Sequence, residues 1–230
     1  MNTKKMNNII MVEQGSPEWF AQRLGRITAS NFGALLTMPR SKKDREAGLI
    51  SQTTRSYLIK KVSEVLTGTH KEFSTSALEW GSDTEDEARK VYELENMVEV
   101  KQIGFAVLKS NPIVGGSPDG LVDDDGMIEV KCPNSDTFTG YLLGDSIVKS
   151  YMAQIQGNLW ILDRSWCDFI VYDPRVIKED LRIHIMRVNR DDEYISKIAQ
   201  AVDRALIHYG VMLDKLGLSF DDILNAKYQA

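Results

Sequence analysis

The run Asn111–Val122 (NPIVGGSPDGLV), the turn Asp123-Asp124-Asp125-Gly126 and the run Met127–Pro133 (MIEVKCP) decide how this chain folds. These are short β-rich stretches, bounded by Asn-Pro, Ser-Pro-Asp-Gly and Asp-Asp-Asp-Gly turn signals. With VEVKQIGFAVL at 98–108 they predict a meander of about three strands. Side chains alternate along a strand, so Glu129 and Lys131 share one face while Ile128 and Val130 point to the other. A hairpin closed by the Asp-Asp-Asp-Gly turn brings Asp119 beside the end of the second strand. Two carboxylates and a lysine then converge.

Outward from this centre the pattern turns helical. Ser16-Pro17 ahead of EWFAQRLG reads as an N-cap followed by proline at the first helical position. A second helix starts at Thr28 or Ser30. Thr53–Leu66 carries Tyr57, Leu58, Val62 and Val65 at helical spacing and stops at Thr67-Gly68. A longer helix covers Thr75–Glu95, its apolar positions Leu78, Ala88, Val91, Tyr92 and Leu94 interrupted by Gly81 and a dense acidic face. Beyond the strands, Tyr151–Leu162 is helical, Cys167–Tyr172 and Leu181–Val188 alternate like strands, and a last helix runs from Asp191 to Leu216. The expected class is α/β (α+β). No repeat, low-complexity tract or linker divides the chain, so residues 1–230 are expected to form a single domain, and 43% hydrophobic content is enough for a substantial core.

Composition narrows the partners. No run of eighteen apolar residues occurs and the N-terminal apolar stretch is too short for a secretory signal, so a cytoplasmic protein without a membrane partner is expected. Cys132 and Cys167 form no C-x-x-C pair and are expected to be reduced and packed. A formal charge of −5 weighs against phosphate binding in general, but distribution matters more. The segment Pro39–Arg45 (PRSKKDR) concentrates Arg40, Lys42, Lys43 and Arg45, which suits either a solvated loop or a contact for a polyanion.

Two carboxylates and a lysine on one strand face suit phosphodiester hydrolysis. Hard oxygen ligands hold one or two Mg²⁺ ions, which polarise the phosphoryl group and assist the attacking water, while the lysine supplies positive charge or positions that water. Mn²⁺ is expected to substitute. His70, His184 and His208 are too scattered to form a cage. An E-x-K strand alone is also the pattern of a solvent-exposed ion pair, and P-D-G alone is a common turn. Their combination admits both the structural and the catalytic reading.

In EWFAQRLGRITAS, LEWGSDTEDEA, GGSPDGLV, IEVKCP, KSYMAQIQGNLW and YDPR, in that order from about Glu13 to Arg175, the chain resembles the lambda exonuclease (YqaJ-type viral recombinase) family of PD-(D/E)xK nucleases. The resemblance implies a restriction-endonuclease-like core over about 75–190, a mixed central β-sheet flanked by helices, with a C-terminal helix and tail over 191–230. It implies that Asp119, Glu129, the main-chain carbonyl of Val130 and the helical Glu85 hold metal, with Lys131 as the catalytic lysine. Gln154, in preference to Gln156, would face the site. Arg23 and Ser30 would bind a terminal 5′-phosphate, with Arg26 either competing for that role or exposed. Leu78 would serve as a wedge in the DNA or as a core leucine, and Arg40 would contact DNA.

The implied activity is magnesium-dependent 5′-to-3′ hydrolysis of one strand of linear duplex DNA, leaving a 3′ single-stranded overhang for phage-type recombination in the bacterial host cytoplasm. Implied partners are double-stranded DNA ends, a single-strand annealing protein and two further copies in a trimeric ring, in which only the channel need be positive. The alternatives are an endonuclease on the same core and a catalytically silent DNA clamp or partner-binding scaffold. The iron–sulfur relatives are disfavoured by the shortage of cysteines.

Overall fold

Strands β6 (Gly120–Val122) and β7 (Gly126–Lys131) pair antiparallel, Gly120 opposite Ile128 and Val122 opposite Gly126. Asp123 takes a left-handed turn conformation at φ 46°, which aspartate tolerates. Arg164 clips the turn from outside, its Nη1 donating to the carbonyls of Val122 and Asp123 at 3.0 and 3.1 Å. The computed structural model describes residues 8–69, 76–146 and 148–225, with backbone alone for 76–83.

Around the hairpin lies a five-stranded sheet. Strand β3 (Val100–Lys101) pairs antiparallel with β6, β8 (Trp166–Tyr172) runs parallel to β7, and β9 (Ile183–Asn189) closes antiparallel on β8, giving the order β3-β6-β7-β8-β9. A second sheet has the order β1-β4-β5-β2, from β1 (Ile9–Ile10), β4 (Phe105–Leu108), β5 (Asn111–Gly116) and β2 (Ile27–Thr28). In it β2 lies parallel to β5 and the other pairings are antiparallel. The expected meander is therefore corrected: the run 111–122 belongs to both sheets and changes from one to the other at Ser117-Pro118-Asp119. Close approach explains the glycines before the break. A Cβ on Gly115 would lie 2.3 Å from the Phe105 ring, and one on Gly116 would lie 2.1 Å from Asn158 Oδ1.

A parallel step from β7 to β8 requires a long crossover, which α6 (Ser135–Leu142) and α7 (Val148–Leu162) supply. Buried Ala153, Ile155, Leu159 and Ile161 on α7 join the larger core, with α2 (Phe32–Leu35) and α8 (Asp192–Asp214) packed against them. The opposite face of the five-stranded sheet is covered by α5 (Ser76–Asn96), whose Ala88 and Tyr92 pack on Val122, Ile128, Val130 and Ile170. At the N-terminal side, Ser16 caps α1 (Pro17–Arg23), and Ser51 caps α4 (Gln52–Thr67), which ends on Gly68 in the left-handed conformation.

The expected mixed α/β architecture is present, with differences of detail. The helix placed at Thr28 or Ser30 is a 3-10 turn, Ala29–Asn31, entering α2, because Ile27 and Thr28 are drawn into pairing with β5. Leu94 is 80% exposed and faces away from the core. Short α3 (Lys42–Glu46), α6 and α9 (Phe220–Leu224) were not anticipated. Leu78 and Gly81 lie in the first turns of α5, where side chains fall outside the described residues, as does His70. Both cysteines are free, Cys167 buried and Cys132 half-buried. Among the described residues no helix is long and apolar enough to cross a membrane.

Gly126 starts β7 directly opposite Trp166, and a Cβ there would stand 2.1 Å from the indole. The Arg187 guanidinium lies 3.7 Å from that ring and hinders its escape. Gly126→Ala is expected to lower unfolding stability by about 1–3 kcal/mol in urea denaturation. An unchanged midpoint would mean that Trp166 yields freely.

Candidate active site

The β6–β7 hairpin fixes the first carboxylate. Asp119 N–H donates to Ile128 O at 3.3 Å, and Asp119 Oδ2 accepts from Val130 N–H at 2.6 Å, so the acid is tied to the facing strand by main chain alone. Glu129, one position before Val130, turns to the opposite face and is fully buried. Its Oε1 accepts from Lys131 Nζ at 2.6 Å and from Gln154 Nε2 at 2.5 Å. Lys131 Nζ also lies 5.1 Å from the Tyr151 ring centroid, the aromatic residue one turn before Gln154 on α7.

Burial dominates the electrostatics. It raises the Glu129 carboxyl to about 7, aided by the charge of Asp119 and opposed by Lys131. Glu85 on α5 rises to about 8 for the same reason, with Asp119 and Glu129 repelling its charge and Lys131 relieving it. Asp119 is likewise pushed up by burial, against the pull of Lys131 and the Val130 amide. Burial works against the Lys131 charge, yet Glu129, Asp119 and Glu85 together hold its ammonium above the ordinary lysine value. Three acids and one lysine therefore act on one another across a small volume.

A cavity of about 150 Å³ opens on this cluster. Asp119, Glu129, Lys131 and Gln154 line it, and so do Arg23 and Ser30. Arg23 comes from the last turn of α1, Ser30 from the 3-10 turn before α2. The Arg23 guanidinium stacks 4.2 Å over Trp19, and its Nη1 donates to Ser117 Oγ at 3.3 Å. Trp19 Nε1 donates to the same hydroxyl at 3.0 Å and to Gly104 O at 2.9 Å, which fixes the indole under the arginine.

Other predicted residues stand elsewhere. Gln156 is buried away from the cavity, bonding Asn189 O and Asp191 N at 2.8 and 2.9 Å, so it secures the entry to α8. Arg26 corrects both expectations for it. It is buried rather than exposed, does not line the cavity, donates to the carbonyls of Gln22 and Pro112, and burial lowers its pKa. Arg40 is exposed before α3, its carbonyl accepting from Arg45 Nη1 at 2.8 Å, and does not reach the cavity. The Leu78 side chain is outside the described residues. His184 on β9 and His208 on α8 are absent from the cavity lining.

Sequence reasoning did not single out Trp19, Ser117 and Asn158, which also line the cavity. Each had a signal: Trp19 lies one helical turn before Arg23, Ser117 adjoins Pro118-Asp119, and Asn158 follows Gln154 by one turn on α7. Among the described residues no three His, Cys, Asp or Glu side chains stand close enough to enclose an ion as placed. The donor chemistry nevertheless suits a hard divalent cation. Asp119, Glu129 and Glu85 offer oxygen alone, their mutual repulsion is what a cation relieves, and among the described residues Glu129 Oε2 is buried without a hydrogen-bond partner.

Comparison with known proteins gives matches over most of the chain. A family model described as the YqaJ-like viral recombinase domain matches residues 18–165. The alkaline exonuclease LHK-Exo of Laribacter hongkongensis superposes with a TM-score of 0.76 at 30% identity, over 88% of this chain and 96% of that one. The same exonuclease in complex with dAMP gives 0.77 at 31%, over 87% and 96%. A phage-related exonuclease from Haemophilus somnus 129PT shares the fold, with a TM-score of 0.68 at 21% identity over 83% and 96%. Among curated proteins, ExoD of Escherichia coli (strain K12) is 27% identical over 78 residues, 34% of this chain and 87% of that protein.

The raised carboxyls make metal-free stability depend on pH. Folded Glu129 and Glu85 retain protons up to about 7 and about 8, whereas an ordinary glutamate in the unfolded chain titrates near 4.5. The native state therefore binds more protons between those values, and this contribution to stability falls as pH rises through the window. In EDTA, Glu85→Gln is expected to raise the melting temperature at pH about 8 and to flatten its decline from pH about 5. Scanning fluorimetry across that range tests this, and a parallel decline in both proteins would count against a buried acid cluster.

Proposed function

As the chain belongs to the YqaJ-like viral recombinase family and has the PD-(D/E)xK nuclease fold, we propose that it is a metal-dependent deoxyribonuclease that removes nucleotides from the 5′ end of one strand of linear duplex DNA. The observation that carries this reading is one cavity shared by the Arg23–Ser30 pair and the Asp119, Glu129 and Lys131 cluster. A guanidinium grips a phosphate bidentately, and a hydroxyl beside it adds a donor. A terminal 5′-phosphate held there presents the next phosphodiester to the acids and the lysine. Position at an end, not sequence, then selects the bond.

Asp119, Glu129 and Glu85, with the Val130 carbonyl, are the residues that would hold Mg²⁺. When bound, the ion supplies Lewis acidity at the phosphoryl oxygen and favours ionisation of water. The chain supplies the rest. Lys131, held protonated by its acidic neighbours, places positive charge beside the phosphorane oxygens, where negative charge develops. Gln154, already hydrogen-bonded to Glu129, fixes that carboxylate and offers its amide to the attacking water. Water attacks phosphorus, the P–O3′ bond breaks, and the released nucleotide keeps the 3′-oxygen and a proton. The shortened strand again ends in a 5′-phosphate, which suits the Arg23 pocket for the next step.

Stepwise action leaves a 3′ single strand, the substrate of a single-strand annealing protein, in the cytoplasm of the bacterial host cell. A trimeric ring around duplex DNA, built of single-domain copies, would keep the enzyme on its track without tight binding. Arg40, exposed beside Lys42 and Lys43, would contact the phosphate backbone.

Digestion of linear duplexes with or without a 5′-phosphate, in Mg²⁺ or EDTA, beside closed circles, tests the reading. The expected result is metal-dependent loss of the 5′-phosphorylated strand with circles intact. Lys131→Ala should slow cleavage by at least about 10²–10³-fold. Cutting of circles would indicate an endonuclease, and an inert wild type on every duplex would indicate a clamp.

A further inference from the structure

Four residues after Arg23, the chain has turned through Gly25 and entered β2, and this turn is gripped from beneath by buried side chains of two other helices. Gly25 N–H donates to Glu64 Oε2 at 3.0 Å. Gly25 O accepts from Tyr209 Oη at 2.8 Å. Thr28 N–H donates to Tyr57 Oη at 3.1 Å. Tyr57 and Glu64 lie on one face of α4 with Lys61, whose Nζ bonds Glu64 Oε2 at 2.8 Å and stands 5.8 Å from the Tyr57 ring. Lys61 and Glu64 are each 3% exposed, Tyr57 is 8% exposed and Tyr209 is fully buried.

A buried ion pair is seldom the cheapest way to stabilise a fold, because desolvation of both charges offsets most of their attraction. The atoms it serves are more informative. Gly25 sits at φ +68°, and a Cβ there would meet Val65 Cγ2 at 2.7 Å, so the turn is packed onto α4 too closely to admit a side chain. Its two main-chain polar groups and the Thr28 amide of β2 are all bonded by side chains of α4 and α8. Arg23 leaves this turn on one side, and Ser30 follows on the other.

We propose that Tyr57, Lys61, Glu64 and Tyr209 are positioning residues for the end-binding pocket: they set the distance and angle between Arg23 and Ser30 and thereby the discrimination of a 5′-phosphate from a 5′-hydroxyl. This rests on the reading of Arg23 and Ser30 as the phosphate pocket. None of the four lines the cavity, so they act through the turn and not by contact with DNA.

Tyr57→Phe and Tyr209→Phe each delete one hydroxyl and retain the ring. In either variant the ratio of kcat/KM for 5′-phosphorylated over 5′-hydroxyl duplex should fall by about tenfold, through a higher KM for phosphorylated ends. Tyr92→Phe is the control, since its equally buried hydroxyl bonds Asp168 at 2.7 Å beneath α5. It should lower the melting temperature while leaving the ratio at the wild-type value. A ratio unmoved in both tyrosine variants, or moved equally by Tyr92→Phe, overturns the proposal. Wild-type protein that does not distinguish the two ends, or still does so after Arg23→Ala, instead overturns the reading of the pocket and takes this inference with it.

Discussion

The Val130 amide meets the Asp119 carboxylate at 2.6 Å across the β6–β7 hairpin, and the cavity is built outward from that contact. It closes the register in which Gly120 faces Ile128, which in turn decides that Glu129 and Lys131 look inward together. A slip of one residue would carry Ile128 and Val130 into the cavity and send both charged groups into the apolar layer under α5. The parallel partner β8 holds the same register from the other side, with Glu129 opposite Phe169. A main-chain donor to a carboxylate is therefore both a structural lock and the means of fixing how that carboxylate lines the cavity.

The second constraint is that the segment Ser117-Pro118-Asp119 passes between the two sheets. Ser117 follows the last strand residue of the first sheet and bonds Arg23 and Trp19, whereas Asp119 immediately precedes the second sheet and bonds Val130. Three consecutive residues thus join the half of the cavity that carries Arg23 to the acidic half. Proline between them withholds a main-chain donor and limits the approach to extended geometry. The spacing of the two halves is consequently a property of the backbone, and side-chain flexibility contributes little to it.

Much of this was legible in the chain because local rules carried it. Ser16-Pro17 and Thr67-Gly68 punctuate helices by capping chemistry, and the Asp-Asp-Asp-Gly turn sets its hairpin by turn chemistry alone. What escaped is what tertiary pairing decides. Nothing in NPIVGGSPDGLV marks where it leaves one sheet for another, since both halves read as strand. Ile27 and Thr28 resemble the start of a helix until β5 offers them a parallel partner. Arg26 carries the charge of a surface residue, yet its guanidinium is consumed by two main-chain carbonyls. The placement of Glu85 was suggested by resemblance, because a glutamate among Asp83, Asp86 and Glu87 has no local feature to distinguish it. Similarly, Lys61 and Glu64 read as an ordinary helical pair, and only the packing of Gly25 on α4 makes them interior.

The formal charge of −5 looks unfavourable for a protein that handles DNA, but counting every acid as a surface charge misstates the field. Glu64, Glu129, Asp168 and Asp173 are buried. Asp168 accepts both arms of Arg187, and Asp173, despite its burial, is held below the usual carboxylate range by Arg175 and Ser135. Glu64 is matched by Lys61. Glu129 and Glu85, whose carboxyls sit near 7 and 8, lie beside Lys131 and share the charge that a divalent cation would cancel. Acids that are paired, protonated or engaged with an ion do little to repel an approaching phosphate. Arg23, by contrast, lies at the cavity with its guanidinium spread on an indole, where low solvent access strengthens its attraction for an anion. The sign of the field met by a DNA end is therefore set by the few groups that face the cavity, and a modestly acidic chain is compatible with a site that receives a phosphate.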